Sequence, residues 1–437
     1  MADNALFTPD FRERPYWWDA APPPPPSLPD LPDRVEVAVI GGGYTGLNCA
    51  LELRRAGIGV AVFEAERFGF GASSRNGGMV SGGLKLSSLD LARTIGPEKA
   101  ARIVEESAGS LPFLEDLLAR EGIDCHYARV GRFVGAHSPG AYRGLFARAE
   151  LLARITGMPA EVLPRARQRE ENGTDWYHGG MKAAATGGLH PGLYHQGLAA
   201  AAGRAGALLV DGTPVAAVAR EGDGFRLATP RGEVVARQVV AATNGYTGGA
   251  TPWLRRRLVP VASYIIATEP QDPALLKKLV PNGRMLSDTK RVLNYYRLSP
   301  DGSRVIFGGR ASFRNVGARE AAPTLHAHMT MIWPELAGAR ISHAWNGNVA
   351  FTFDHTPHLG VQDGIHYAVG CQGSGVAMMS YLGYRLARKL AGGANEPASA
   401  FDGNPYPTLP LYGGRPWFLP LVGTAYRLRD WLDRRAA

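Results

Sequence analysis

Short apolar runs and stretches of helical periodicity alternate at three places along this chain. Residues 35–40 and 58–63 are β-branched runs, and residues 47–56 between them have the apolar spacing of a helix that Gly57 ends. The same succession returns later, with helices predicted at 193–205 and 377–390 and apolar strands at 207–210, 238–242 and 365–369. This pattern predicts α/β units whose strands lie in a buried, parallel sheet.

The segments between these units have other patterns. Residues 97–121 and 142–155 have helical periodicity. The short strands of a β-meander are predicted at 214–219, 224–228 and 232–236. Apolar and polar residues alternate at 261–268, 292–298 and 304–309. Such alternation is typical of an antiparallel sheet with one exposed face.

A glycine-rich turn joins the first strand to the first helix. Gly41 provides the tight turn, Gly43 lets the backbone approach a pyrophosphate, and Gly46 lets the helix pack on the strand. The helix then directs its N-terminal N–H groups and positive dipole end at the phosphates. Glu64 ends the second strand, where a carboxylate accepts both hydroxyls of an adenosine ribose. The unit predicts a dinucleotide site, and the charge of Glu64 favours FAD or NAD over NADP.

Two further glycine-rich segments indicate contact with the same ligand. Residues 69–78, GFGASSRNGG, are too small to build a core and must let the backbone approach something closely. Residues 370–376, GCQGSGV, again join a strand to a helix, so a second helix N-terminus can face the cofactor.

The nucleotide-binding pieces lie at the start, middle and end of the chain, which predicts two interleaved domains in an α/β fold. A Rossmann-like cofactor domain is assigned residues 35–95, 185–250 and 340–395. An α+β substrate domain built on the antiparallel sheet is assigned residues 96–184 and 251–339. Residues 1–34 form an irregular N-terminal arm with a polyproline run, and residues 396–437 form a C-terminal docking tail.

Composition narrows the classes of partner and compartment. The 437 residues, 45% hydrophobic and 20% charged, are ordinary for a globular protein, and the net charge of +9 is spread without the aromatic platforms of a nucleic-acid-binding face. Cys49, Cys125 and Cys371 lack the spacing of a disulfide framework or a metal site. Without a signal-peptide core or an apolar stretch of about 18 residues, we expect a cytoplasmic protein with no stable membrane insertion.

The chain resembles the D-amino-acid oxidase/glycine oxidase superfamily of FAD enzymes over most of its length. The GFGAS-RNGG loop, the NYYRLS strand and the TPHLG turn are most similar to gamma-glutamylputrescine oxidoreductase-type amine oxidases. The other segments that carry the resemblance are VAVIGGGYTGLNCALELRRAGIGVAVFEAE, HPGLYHQGLAAAA, VVAATNGYT, DTKRV, VIFGGR, WNGNVAFTFDH and GCQGSGVAMMSYLG.

The resemblance implies that the cofactor is FAD. The residues that it implies bind FAD are Gly41, Gly43, Tyr44, Thr45, Gly46, Glu64, Ala65, Ser73, Arg75, Asn76, Gly77, Gly78, Val215, Gly347, Gly373, Ser374, Gly375 and Val376. A cation such as Arg75 beside the ring stabilises negative charge on reduced flavin.

Two departures from the family pattern bear on the flavin and on the substrate. Ser374 stands where relatives commonly have a histidine, so the flavin is tuned more weakly or from elsewhere. Relatives that act on simple α-amino acids have an arginine that clamps the substrate carboxylate in a Trp-x-Gly-x-Arg-Pro pattern, whereas this chain has Val349 there. The Val-Ala pattern of amine-oxidising relatives favours an amine substrate, although a basic residue elsewhere, such as Arg297, can substitute.

Flavin amine oxidation needs a dry, oriented pocket more than it needs acids and bases. The candidate catalytic residues are Tyr295, Tyr296 and Arg297 with Trp345, because aromatic walls hold a cationic amine and exclude water. Alternate residues of a strand face opposite sides, so only one of the two tyrosines reaches the pocket, and we favour Tyr296.

The predicted reaction is oxidation of a primary or secondary amine, including a polyamine derivative, by hydride transfer to flavin N5. The resulting imine hydrolyses, and oxygen or another electron acceptor reoxidises the flavin. Two alternatives stay open at this point. One is an N-methyl or secondary amino-acid dehydrogenase with a non-oxygen acceptor, and the other is a catalytically silent flavin-binding protein. The sequence leaves the oligomeric state open.

Overall fold

The computed structural model describes residues 5–83 and 88–435. Its strands are β1 (Phe7–Arg12), β2 (Arg34–Ile40), β3 (Val60–Phe63), β4 (Met79–Ser81), β5 (Arg132–Gly135), β6 (Ala160–Leu163), β7 (Gly180–Ala183), β8 (Thr186–Gly188), β9 (Leu208–Val210), β10 (Ala217–Glu221), β11 (Gly224–Thr229), β12 (Gly232–Ala241), β13 (Val259–Thr268), β14 (Met285–Asp288), β15 (Asn294–Leu298), β16 (Val305–Gly309), β17 (Ile341–Phe351), β18 (His358–Gln362) and β19 (Ile365–Val369). Its helices are α1 (Tyr44–Arg55), α2 (Ala72–Arg75), α3 (Ser88–Ile95), α4 (Pro97–Ala108), α5 (Ser110–Glu121), α6 (Pro139–Thr156), α7 (Pro191–Arg204), α8 (Pro252–Arg255), α9 (Pro273–Leu279), α10 (Ala318–Ile332), α11 (Gly375–Gly392) and α12 (Leu419–Arg435).

A parallel sheet is assembled from strands that lie far apart in the chain. Its central order is β9-β3-β2-β12-β19, with every neighbouring pair parallel. The β10–β11 meander pairs with the first half of β12, and β18 flanks β19 in antiparallel orientation. Strand β3 and the second half of β2 are buried at every position, on both faces of the sheet, which explains their continuous apolar runs. The predicted Rossmann-like sheet, built from the start, middle and end of the chain, is confirmed.

Helices α1 and α11 pack against each other beside this sheet. A Cβ at Gly383 of α11 would lie 2.3 Å from the carbonyl oxygen of Thr45 in α1. The missing side chain therefore permits the close approach of the two helices, and both begin next to the same cavity.

The large sheet has nine strands in the order β1-β17-β13-β16-β15-β14-β5-β7-β6. It is mostly antiparallel, with parallel pairs at β1–β17 and β14–β5. One face packs against α10 and buries Tyr296, Phe307 and Trp333, whereas the other face carries Tyr295 and borders the cavity. This is the antiparallel sheet that the alternating segments predict, but the expectation of one exposed face is wrong. Strands β14 and β16 are buried at every position, because α10 covers one face and the cofactor domain lies across the cavity from the other.

The N-terminal arm differs from the prediction of an irregular segment. Residues Phe7–Arg12 form β1, which pairs with β17 at the edge of the large sheet. Trp17 is fully buried and its Nε1 donates to the Asn76 carbonyl oxygen at 2.8 Å. The pairing joins residues more than 300 positions apart, and Pro9 interrupts the local pattern, so the short run carries little strand signal.

Two assigned segments contribute to both parts of the molecule. Segment 340–395 supplies β17 to the large sheet and β19 and α11 to the parallel sheet. Helices α4 and α5, assigned to the substrate domain, place their apolar faces in the same core as α1 and α11. The remaining domain boundaries stay predictions.

The C-terminal tail forms α12, which packs on the large-sheet side of its own chain. The carboxylate of Asp430 accepts hydrogen bonds from the N–H groups of Arg291 (3.1 Å) and Val292 (3.0 Å). The Arg434 guanidinium lies 3.4 Å from the centre of the Trp176 ring. None of the described helices is long and apolar enough to cross a membrane.

Candidate active site

A cavity of about 550 Å³ lies between the parallel sheet and the large sheet. The turn after β2 and the tip of β3 form one end, and residues from β13, β15, β16 and β17 line the other. Fifteen of the residues that the sequence assigns to the cofactor line this cavity: Gly41, Gly43, Tyr44, Thr45, Glu64, Ala65, Ser73, Arg75, Asn76, Gly77, Val215, Gly347, Gly373, Gly375 and Val376.

The first glycine turn has a backbone that a side chain would block. Gly41 has a φ of +105°, and a Cβ there would lie 2.8 Å from the carbonyl oxygen of Ala242. Gly46 lies behind the cavity instead of on its wall, and a Cβ there would lie 2.0 Å from the Gly41 carbonyl oxygen. Gly46 therefore sets the approach of α1 to the turn.

Glu64 follows β3 directly and is held by backbone donors. Its Oε2 accepts from the Gly42 N–H at 2.8 Å, and its Oε1 accepts from the Glu66 N–H at 3.1 Å. Burial raises the pKa of the Glu64 carboxyl, while these N–H groups act in the opposite direction. Each carboxylate oxygen keeps a free acceptor position for a ribose hydroxyl. Val215 lines the same cavity.

Arg75 in the small-residue loop is fixed by carbonyl oxygens and aromatic rings. Its Nε donates to the Phe70 carbonyl oxygen at 2.6 Å, and its Nη1 donates to that of Asn346 at 3.2 Å. The guanidinium lies 4.7 Å from the ring centre of Trp18 and 4.6 Å from that of Phe70. Desolvation lowers the pKa of Arg75 from its ordinary value. A positive charge is thus held in the cavity wall without a carboxylate partner among the described residues.

Three large side chains hold the backbone of this loop from the side of the large sheet. Trp17 Nε1 donates to the Asn76 carbonyl oxygen and Trp345 Nε1 to that of Arg75, each at 2.8 Å. Arg297 Nη1 donates to the carbonyl oxygen of Gly78 at 3.0 Å and to that of Leu189 at 2.9 Å.

The cavity lining does not include Trp345, Arg297 or Gly78. The expectation that Trp345 and Arg297 touch the substrate is therefore corrected, as is the expectation that Gly78 contacts FAD from the cavity wall. The indole N–H of Trp345 and the Nη1 of Arg297 donate to carbonyl oxygens of the loop, so these two side chains position the loop. The suggestion that Arg297 binds a substrate carboxylate fails for the same reason.

The second glycine turn brings the start of α11 to the cavity. Gln372 and Gly373 have φ values of +50° and +76°, and α11 begins at Gly375. Ser374 does not line the cavity, and its N–H donates to the carbonyl oxygen of Cys371 at 2.8 Å. The sequence assigned Ser374 to the cofactor from the family pattern, but in the structure only its neighbours Gly373 and Gly375 line the cavity. Cys371 itself lines the cavity.

The two neighbouring tyrosines of β15 lie on opposite faces of the large sheet, with the faces reversed from our expectation. Tyr295 lines the cavity, and its hydroxyl pairs with Ser263 Oγ at 2.9 Å. Tyr296 is fully buried on the α10 side, where its hydroxyl accepts from Asn172 Nδ2 at 2.9 Å and pairs with the Tyr177 hydroxyl at 2.8 Å. The sequence predicts that the two tyrosines face opposite sides. Which of them faces the cavity depends on how β15 pairs with β14 and β16.

Several lining residues were missed by sequence reasoning. Two are arginines, Arg132 in β5 and Arg310 directly after β16. Others from the large sheet, its adjoining residues and β4 include Met79, Ser81, Ser263, Ile265, Leu293, Gly309, Asn348 and Phe351. The VIFGGR segment that ends at Arg310 was quoted only for the resemblance. Nothing local distinguishes Arg132 from a surface arginine.

Three possible metal ligands lie close together away from the cavity: His137, and Asp430 and Asp433 of α12. Arg291 already donates from Nη1 to Asp430 at 3.1 Å and to Asp433 at 2.5 Å. The guanidinium supplies the positive charge that these carboxylates need.

The geometry fits FAD. A glycine turn and a fixed carboxylate form the adenosine end, and two helices begin beside the cavity where N–H groups favour negative charge. Arg75, which is part of the loop of residues 69–78, and the ring of Tyr295, which packs on this loop, both line the cavity. A Cβ at Gly77 would lie 2.8 Å from the Tyr295 ring, so ring and loop are in direct contact.

Comparisons with known proteins agree with this site. A family model described as FAD dependent oxidoreductase (DAO) matches residues 36–389. The chain is 31% identical over 421 residues to the probable oxidoreductase OrdL of Rhizobium meliloti, covering 95% of this chain and 97% of the relative. It is 31% identical over 405 residues to the gamma-glutamylputrescine oxidoreductase of Escherichia coli, covering 90% and 92%.

The fold has a solved counterpart as well. The crystal structure of glycine oxidase from Geobacillus kaustophilus superposes with a TM-score of 0.71 at 24% identity, covering 86% of this chain and 99% of that one. The family match spans most of the chain, including both glycine turns and the cavity between the sheets. The chain therefore belongs to the DAO family of FAD-dependent oxidoreductases.

Proposed function

We propose that this protein oxidises a primary or secondary amine, such as a polyamine derivative, and passes the electrons from FAD to oxygen. The proposal rests on the position of Val349. This apolar residue lines the cavity at the position where relatives that act on simple α-amino acids have a carboxylate-binding arginine. The similarity to gamma-glutamylputrescine oxidoreductase supports an amine substrate.

The chain supplies position and a dry surface for this reaction. FAD, when bound, supplies the hydride acceptor. The substrate carbon loses a hydride as the nitrogen lone pair forms the C=N bond, and the resulting iminium ion releases a proton to give the imine. Water then converts the imine to a carbonyl compound and releases ammonia from a primary amine or a smaller amine from a secondary one. Tyr295, fixed by Ser263 and packed on Gly77, forms an aromatic wall that orients the amine and excludes water.

The protonation state of the amine follows from the charges in the wall. The carboxylates among the described lining residues are Glu64 and Glu66, both at the adenosine end. At the other end the ionisable groups include Arg132 and Arg310, which disfavour an ammonium ion nearby. We therefore infer that the amine reacts in its neutral form, and that the rate of reduction rises with pH until the substrate amine has lost its proton.

The test is anaerobic reduction of the holoprotein with a panel of amines. Diamines, N-acylated diamines, N-methyl amines and α-amino acids are mixed with the oxidised protein, and bleaching of the flavin absorbance is followed. The proposal expects bleaching by an amine that lacks an α-carboxylate, and hydrogen peroxide when air is admitted.

The other outcomes contradict the proposal in identifiable ways. Bleaching by N-methyl amino acids alone, without peroxide in air, indicates an amino-acid dehydrogenase with another acceptor. A flavin that stays oxidised across the panel indicates a flavin-binding protein without turnover.

A further inference from the structure

Besides Arg75, the arginines Arg132 and Arg310 in the cavity wall have no anionic partner among the described residues. Arg132 projects from β5, and its Nη2 lies 3.5 Å from Met79 Sδ, while its Nε is buried without a hydrogen-bond acceptor. The Arg310 guanidinium lies 4.5 Å from the ring centre of Phe351. Neither side chain forms an ion pair with the described part of the chain.

The other arginines around the site show what a structural guanidinium looks like in this fold. Arg297 uses Nε and Nη1 on three carbonyl oxygens, those of Gly78, Leu189 and Leu298. Arg75 likewise donates to two carbonyl oxygens. Among the described residues, the Met79 sulfur is the one hydrogen-bond partner of Arg132, so the outer Nη groups of the guanidinium remain available to a ligand.

Removing the unpaired Arg132 guanidinium from water costs free energy unless a bound ligand compensates its charge. Desolvation lowers the pKa of Arg132 to about 10, so the side chain is still a cation at neutral pH. Arg132 is partly buried. A partly desolvated, unpaired cation is unfavourable, and an anion that binds it recovers part of that cost. The guanidinium fork matches a carboxylate, which accepts two parallel hydrogen bonds.

The charge of the cavity also conflicts with a simple polyamine. An amine substrate arrives as a cation, and a diamine as a dication, yet Arg132 and Arg310 make the substrate end positive. A substrate with its own negative group removes this conflict. Since the wall at Val349 is apolar, that group is not held at the usual arginine position of amino-acid-oxidising relatives.

We propose that the amine substrate carries a carboxylate and that Arg132 binds it, with Arg310 adding positive potential to the same cavity. The inference rests on the proposed amine oxidation and narrows its substrate to amines that carry a carboxylate away from the reacting carbon. Arg132 is then a specificity-determining residue, because it selects the anionic end of the substrate.

Binding of unreactive ligands tests this without turnover. Pentanoate and pentanamide have the same shape and differ in charge, and each is titrated into the oxidised holoprotein by calorimetry and by the flavin difference spectrum. We expect Arg132→Met to weaken pentanoate binding at least tenfold and to leave pentanamide unchanged, with Arg132→Lys intermediate. Arg310→Met is expected to weaken pentanoate binding by a smaller factor.

The matched control is Arg129→Met, which removes an exposed arginine three positions away that pairs with Glu115. It should leave both ligands and the FAD content unchanged. Equal pentanoate affinity in the parent protein and Arg132→Met would overturn the inference. So would a loss of FAD affinity in Arg132→Met without a change for pentanoate, because Arg132 would then serve the cofactor.

The two proposals fail separately. If pentanoate binding depends on Arg132 but no amine reduces the flavin, the carboxylate site stands and amine oxidation is wrong. If amines reduce the flavin while Arg132→Met binds pentanoate normally, amine oxidation stands and the carboxylate site is wrong.

Discussion

Tyr295 places a hydroxyl on the cavity wall, where it pairs with Ser263 Oγ at 2.9 Å. Tyr295→Phe keeps the ring and removes this one hydrogen bond, which contributes about 0.5–1.5 kcal/mol. We expect the rate of anaerobic flavin reduction to fall by about two- to tenfold, because the ring is no longer fixed. Stopped-flow absorbance measures the rate, and chemical denaturation should show a fall in unfolding free energy of no more than about 1.5 kcal/mol.

Tyr296→Phe is the matched control and has the opposite expectation. Its hydroxyl serves Asn172 and Tyr177, both fully buried, so removal leaves buried polar groups unpaired at a cost of about 1–3 kcal/mol. The free energy of unfolding should fall by that amount while the rate of reduction is unchanged. The reverse pattern in the two variants would contradict the assignment of faces.

Asp288 is a buried carboxyl whose ionisation opposes folding. It accepts from the N–H groups of Lys290 (3.2 Å) and Asn294 (3.1 Å), yet burial raises its pKa to about 6. Because this value exceeds that of the unfolded chain, about 3.9, the contribution to stability is complete below pH 4 and is lost as the pH rises through 6.

The prediction compares the parent protein with Asp288→Asn in urea denaturation at pH 4 to 7. The unfolding free energy of the parent should fall relative to that of the variant by about 3 kcal/mol across this range, since two pKa units are worth about that much. Parallel curves would show that folding does not raise the pKa of Asp288.

Helices α1 and α11 act as a pair because Gly383 lets them touch. A methyl group there would lie 2.3 Å from the Thr45 carbonyl oxygen, so the helices must separate. We expect Gly383→Ala to lower the unfolding free energy by about 1–3 kcal/mol and to reduce FAD affinity, because both helices begin at the cavity.

Gly144→Ala in α6 is the control, since a Cβ there meets no described atom within 4 Å. It should be neutral or slightly stabilising, as alanine favours a helix over glycine by about 1 kcal/mol. Flavin content after purification and chemical denaturation measure both effects. Normal FAD affinity in Gly383→Ala would show that the spacing of the helices does not control the site.

The elements that the sequence predicts well are those with a local cause. The turn at Gly41 and the acid at Glu64 follow from one strand–turn–helix unit, whose geometry is set within 30 residues. Strand β1 was missed because its pairing with β17 is distant, and the phase of Tyr295 was missed because neighbouring strands set it. Arg132 became visible only when the cavity brought β5 beside β4.

At the scale of the whole molecule, the cavity lies between the two sheets and draws its wall from both. The loop of residues 69–78 is also fastened from both sides, because Ser73 Oγ accepts from the Tyr44 N–H while Trp17 and Trp345 donate to its carbonyl oxygens. A ligand that spans the cavity therefore contacts both sheets. Its binding free energy should stabilise both together.

The last prediction follows from this arrangement. FAD at about a hundredfold excess over its Kd should raise the unfolding free energy by about 2.7 kcal/mol, and far-UV circular dichroism and tryptophan fluorescence should report one transition. The fluorescence includes Trp333 and Trp345, which lie on the side of the large sheet.

ADP is the control ligand, since it reaches the glycine turn and Glu64 but lacks the ring that extends toward Tyr295. With ADP we expect a smaller rise. If FAD shifts the circular dichroism transition and leaves the fluorescence transition in place, the two sheets unfold separately and the cavity does not couple them.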